Sequence, residues 1–113
     1  MRADAGKTMG EYLLFDEARH RLDEIADYTR HRWGEAQAID YLDSLLAHCA
    51  AIADRRVPWR AIPEQFGLEG YLSRHKRHYV YWRALDGDRI GIVTVLHERM
   101  HQAARLREAF NDG

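Results

Sequence analysis

Two amphipathic stretches meet at Gly34 with so little chain between them that they have to fold back on each other. Upstream, Ala18, Leu22, Ile25, Ala26, Thr29 and Trp33 recur at helical spacing, and the run closes on Arg30-His31-Arg32. Asp16 suits the helix N-cap, with Glu17 favourable in the first turn. Downstream, from about Glu35, the pattern repeats through Ala38, Leu42, Leu45, Leu46, Cys49, Ile52 and Ala53 and stops at Arg55-Arg56 before Pro58. Those two arginines meet the negative end of the helix dipole, which accounts for them without any further role. A joint this short makes the pair an antiparallel hairpin with one long apolar face. Such a face has to cover something large, so Trp33 and Trp82 are expected in the core.

The rest of the chain supplies what is covered. Tyr12-Leu13-Leu14-Phe15 is a short apolar run that reads as a first strand. Residues 57 to 70 hold both prolines and two glycines and read as a loop with one turn. A strand over residues 71 to 75 follows. Residues 78 to 85 and 90 to 97 then flank Asp86-Gly87-Asp88, a hairpin signal because Gly87 accepts positive φ. In the first of these strands alternation puts Val80 and Trp82 on one face and Tyr79, Tyr81 and Arg83 on the other. Met100, Ala103, Leu106 and Phe110 line one face of a short final helix. The order β-α-α-β-β-β-α predicts an α+β fold: an N-terminal strand, an antiparallel helical hairpin packed on a small antiparallel sheet, and a short C-terminal helix.

With 113 residues, 46% of them hydrophobic, the chain suits one modest core, expected as a single domain over residues 11–113. Residues 1–10 lack periodicity and are expected to form a flexible extension, with Met9 a possible natural start. A single cysteine, Cys49, excludes an internal disulfide and a cysteine-based zinc cluster, and it falls on the apolar face of the second helix, where it reads as core. No run approaches the roughly 18 apolar residues of a membrane span and no signal-peptide pattern opens the chain, so a cytoplasmic protein without a membrane role is expected.

Charge is segregated beneath a net value of −1. Between residues 16 and 54 nine acids stand against four arginines, or −5. Between 55 and 83 seven Lys/Arg stand against two glutamates, or +5. Either the basic part meets something anionic or an acidic helix pair lies against a basic sheet.

The stretch His97-Glu98-Arg99-Met100-His101 matches the H-E-x-x-H spelling of a zinc protease. That chemistry needs both histidines one turn apart on a helix, but the β-branched run 90–96 makes His97 the end of a strand, and the third histidine of the metzincin extension is replaced by Arg107. No metal or other cofactor is expected.

Leu22-Asp23-Glu24-Ile25-Ala26-Asp27-Tyr28 followed by Trp33-Gly34, then Ala38 with Tyr41 and Leu45, then His78-Tyr79-Val80-Tyr81-Trp82-Arg83, and finally Val95-Leu96-His97 with Arg99-Met100, come in an order that resembles the ParE/RelE superfamily of bacterial toxins, more closely its ParE branch. The likeness spans roughly residues 11 to 107 and makes the zinc-like spelling a strand-to-helix junction. The resemblance implies a toxin of a type II toxin–antitoxin system, neutralised by a cognate antitoxin that folds on it, over the acidic helical faces or an open sheet edge. ParE-like members poison DNA gyrase and block replication; RelE-like members cut mRNA on the ribosome. The chain has few lysines and ends Ala-Arg-Leu-Arg-Glu-Ala-Phe before its last three residues, unlike many ribosome-dependent members, so gyrase is the expected target and mRNA cleavage the alternative.

Arg74, Arg77, Arg83, His97 and Arg99 are the expected target-binding residues, since cations at strand ends suit an anionic target. Under the nuclease alternative His78, Arg83, His97 and Arg99 would be the catalytic set, with acid–base histidines and arginines for the phosphorane charge. His97 equally suits a structural histidine at a strand end. His75 and His78 fit phosphate contact or plain solvation, and Tyr79 and Tyr81 either pack beneath the final helix or stack bases.

Overall fold

The computed structural model describes residues 11–112; the extension expected over residues 1–10 lies outside them. β1 (Tyr12–Leu14) runs into α1 (Asp16–Trp33), and α2 (Glu35–Ala53) returns along it. Gly34 makes the reversal at φ 100°, where a side chain would be strained. Its N–H donates to the Arg30 carbonyl while its own carbonyl accepts from the Ala38 N–H, so one residue closes α1 and opens α2. The cap of α1 differs from expectation. Extended Phe15 is the N-cap and makes no side-chain bond, so Asp16 stands inside the helix beside Glu17, where both carboxylates face the positive dipole end. Arg55 follows α2 as expected, its guanidinium donating to the Ile52 and Ala53 carbonyls, whereas Arg56 turns to Asp54.

The 57–70 segment is more than a loop. It carries a two-residue edge strand, β2 (Arg60–Ala61), and a 3-10 turn at Glu64–Phe66. A proline just before β2 and another just after it suit a strand at the sheet's edge and nowhere deeper. Then come β3 (Tyr71–His75), β4 (His78–Ala84), β5 (Ile90–His97) and α3 (Gln102–Asp112). Gly87 takes φ 70° in the β4–β5 turn.

The sheet order is β1-β5-β4-β3-β2, and the sheet is mixed rather than antiparallel because β1 pairs parallel with β5. The reason is parity. Phe15, at the head of α1, donates its N–H to Ile92, while Trp33 at the other end borders the same groove as His97, so α1 continues in the direction of β5. α2 brings the chain back to the starting end. Three meandering strands from there end in the direction in which β1 set out.

Both sheet faces are covered. Val80 and Trp82 of β4 join Ala18 and Leu22 of α1 and Leu45, Cys49 and Ile52 of α2 in the larger core, with Leu45 and Ile52 fully buried. Each such aliphatic side chain contributes about 1.5–3 kcal/mol by leaving water. On the opposite face Tyr81, Leu72 and Leu96 are roofed by Leu106 and Phe110 of α3, and the Tyr81 hydroxyl donates to Gln102 Oε1 at 2.7 Å. The alternation read from β4 therefore holds, across a register shift between Tyr81 and Trp82, and Tyr79 and Tyr81 pack beneath the final helix. Trp82 is core at 1% exposure, but Trp33 is 59% exposed. It belongs to the last turn of α1, at the rim of the groove described next.

Candidate functional site

A groove of about 770 Å³ opens where the hairpin overhangs the ends of β4 and β5. Ile25, Tyr28, Thr29 and Trp33 of α1 form one wall and Gln37 and Tyr41 of α2 continue it. Lys76, Arg77 and His78 come from the β3–β4 turn and the strand after it, and Val95, His97, Arg99 and Met100 from β5 and the junction beyond. Tyr28 and Trp33 are large apolar groups left exposed at this rim, opposite three cations.

Of the residues singled out from sequence, Arg77, His78, His97 and Arg99 meet in this groove. Arg74 stands next to it, its guanidinium over the Tyr79 ring and hydrogen-bonded to Glu98, which also accepts from Arg77 at 2.9 Å. Partial desolvation opposes ionisation of Glu98, but the Arg77 hydrogen bond and both guanidinium charges hold its carboxyl below the usual range. Arg83 is elsewhere. It lies toward the far end of β4, between the rings of Phe15 and Phe110 at 5.7 and 5.1 Å, with its Nε buried and unbonded.

The zinc-like spelling is dispersed by this geometry. His97 ends β5, and its Nδ1 accepts the Arg99 N–H at 3.1 Å. Glu98 serves the two arginines, and His101 Nδ1 accepts the Ala104 N–H at 3.3 Å, just before and inside the first turn of α3. Among the described residues no group of three or more His, Cys, Asp or Glu is placed to hold a metal ion.

His75, half-buried, and His78, buried, each meet a hydroxyl of α2. Ser44 gives its proton to the Tyr41 carbonyl at 2.7 Å, so its oxygen accepts the His75 Nε2–H at 2.9 Å. Ser73 likewise donates to the Pro58 carbonyl and accepts the Nε2–H of His48 at 2.9 Å. The Tyr41 hydroxyl takes a bond from the Arg77 backbone and shares a hydrogen bond with His78 Nδ1 at 2.6 Å. Burial, then the neighbouring His75, pulls His48 down to about 4. Burial, then His97 and His75, does the same to His78, at about 4. His75 is lowered by burial and by Lys76. At neutral pH these rings are uncharged, and the groove's positive charge comes from Lys76, Arg77 and Arg99.

A model of the "ParE toxin of type II toxin-antitoxin system, parDE" matches residues 12–102, most of the chain. The chain belongs to the ParE toxin family. It is similar to Toxin ParE of Escherichia coli, 34% identical over 100 residues that cover 88% of this chain and 96% of that one. Toxin ParE1 of Caulobacter vibrioides is 35% identical across 87% of this chain and 99% of its own length. Toxin ParE1 of Mycobacterium tuberculosis is 39% identical across 79% and 90%. The fold is shared with a chain from the chromosomal ParDE system of P. aeruginosa, at a TM-score of 0.60, 14% identity, and coverage of 80% of this chain and 97% of that one. The family resemblance read from sequence is thus borne out, and with it the α+β element order.

What the sequence reading of this ParE family member missed is the polar seam made by Tyr41, Ser44, His48 and Ser73. A signal was present: Tyr41, Ser44 and His48 fall three and four apart, on the face of α2 shared by Leu45 and Cys49. Polar groups at helical spacing on an apolar face call for partners opposite.

Proposed function

We propose that this toxin poisons DNA gyrase and so blocks replication, and that a cognate antitoxin neutralises it in the cytoplasm. The observation that carries the reading is family membership across residues 12–102, since gyrase poisoning is what the ParE resemblance implies. The groove supports it chemically. Lys76, Arg77 and Arg99 offer cations beside the exposed rings of Tyr28 and Trp33, a combination suited to a protein surface holding DNA. The target-binding set is therefore Arg77, His97 and Arg99, with Arg74 on the rim; Arg83 stays as a candidate on its charge alone. The antitoxin would be a segment that folds as it binds, meeting the acidic outer faces of α1 and α2.

One observation favours a second reading, ribosome-dependent mRNA cleavage. Tyr41, His78 and His97 are linked through a 2.6 Å hydrogen bond and an edge-on ring contact at 5.2 Å, beside Arg77 and Arg99, groups that suit acid–base work on a phosphodiester. Expressing the chain alone, with DNA breaks and transcripts scored in parallel, separates the two. DNA breaks with intact mRNA are expected; transcript cuts at ribosomes without DNA damage would replace the gyrase reading. Arg77→Ala and Arg99→Ala are each expected to relieve growth arrest while melting like the parent chain. Full toxicity of both folded variants would remove the groove from consideration.

A further inference from the structure

We propose that the seam between α2 and strands β3–β4 is an acid-opened latch on the groove, held shut by three neutral imidazole–hydroxyl contacts and released by proton uptake. Each contact spans two elements: His48 on α2 to Ser73 on β3, Ser44 on α2 to His75 on β3, and Tyr41 on α2 to His78 on β4. Tyr41 and His78 also line the groove, so the latch and the groove share a wall. The latch is a property of the free chain and does not depend on what the groove binds.

Three features make the contacts acid-sensitive. The first is crowding: the His48 and His75 rings lie 4.8 Å apart and those of His78 and His97 5.2 Å apart, so successive protons place like charges side by side. The second concerns one bond alone, since the Nε2–H groups of His48 and His75 remain donors after protonation. In the tautomer with Nδ1 of His78 unprotonated, that nitrogen accepts the Tyr41 proton at 2.6 Å, and protonating it turns an acceptor into a donor against the hydroxyl.

The third feature is the surrounding charge. Lys76 and Arg77 enter from the β3–β4 turn, with Lys76 Nζ 5.4 Å from the Tyr41 ring, and Arg99 enters from the junction after β5. The carboxylates nearby are committed: Glu98 to Arg74 and Arg77, and Glu24 on α1 to Arg21. The Cys49 thiol of α2, pushed up to about 12 by burial, stays neutral.

Opening involves residues 38–48, and the buried Leu45 among them has to leave the larger core with the seam. Beyond His48 the helix is held by buried Cys49, Ile52 and Ala53. In the open seam the imidazoles titrate near their ordinary value of about 6.5. In the closed seam burial holds His48 and His78 at about 4. The opening constant therefore rises as pH falls below about 6.5, by up to about tenfold per pH unit for each imidazole, or up to about a thousandfold at pH 5 for these two.

Amide hydrogen exchange of the full chain at pH 7.5 and pH 5, corrected for intrinsic rates, tests this. Protection of residues 38–48 is expected to fall by two to three orders of magnitude (about a hundred- to a thousandfold) while β5 and α3 hold theirs. The double variant His48→Gln, His78→Gln should narrow the difference between the two pH values to less than about tenfold. Uniform loss across all elements, unchanged protection of residues 38–48, or the same fall in the double variant would overturn the latch. Should the double variant not fold, ring-proton NMR of the unaltered chain decides: His48 and His78 should stay neutral until the seam exchanges, and ordinary titration with the seam still protected would refute the proposal.

Discussion

At its Trp82 end, β4 is buried among rings: Tyr71 stacks on Trp82 at 4.7 Å, Trp59 meets it edge-on at 6.4 Å, and the Arg55 guanidinium lies over it at 5.1 Å. At its His78 end, on the same face and under the same helix, the contacts are hydrogen bonds between imidazoles and hydroxyls. Area burial acts at one end regardless of protons, while at the other end the fit depends on which nitrogen carries a hydrogen. One strand therefore joins a pH-indifferent anchor to a titratable clasp, and the groove sits at the clasp.

Leu45 lies between the two ends with no exposure. Leu45→Asp is expected to abolish both together, at a cost of about 3–5 kcal/mol or outright unfolding, measured by urea denaturation. Trp82→Ala should cost about 3–5 kcal/mol as well, yet leave the pH dependence of stability as it was; a flattened profile would break the comparison.

The acid response comes next in size. His48 and His78 have folded values of about 4 against about 6.5 unfolded, so the unfolded chain binds protons first. Stability is whole above about pH 6.5 and declines as pH falls toward 4, by about 1–2 kcal/mol for each ring after allowance for solvent screening. Denaturation midpoints between pH 4 and 8 read this directly.

Tyr41→Phe removes the hydroxyl that serves both His78 and the Arg77 backbone. A loss of about 1–2 kcal/mol is expected at pH 7, with a weaker pH dependence. The smallest effects belong to exposed positions: Trp33→Ala and Asp40→Ala should each change stability by less than about 0.5 kcal/mol. A large loss at Trp33 would mean that the rim of the groove is part of the core.

The comparison also marks what could be read from the chain. Helical phase was legible because Leu22, Leu45, Cys49 and Ile52 repeat at a period that packing alone explains. The direction of β1 was not, because a three-residue apolar run looks the same whether its partner runs with it or against it. Arg83 was grouped with Arg77 by charge and nearness in sequence, but six residues of strand carry it along the sheet to a pair of phenylalanine rings. The histidine seam stayed hidden for a related reason: each contact joins positions 25 to 37 residues apart, and a histidine in a basic run shows nothing of the serine or tyrosine that will meet it.

The pairing of Tyr12 with Ile90 and Leu14 with Ile92 bears on how such a chain is made. On a translating ribosome the first strand emerges long before its partner and waits through nearly the whole of synthesis. The α1–α2 hairpin has its local contacts early, but the edge at β1 and the wall of the groove at His97 both require β5, the last strand to appear. A chain built this way completes its groove and its β1 edge only once β5 has been made.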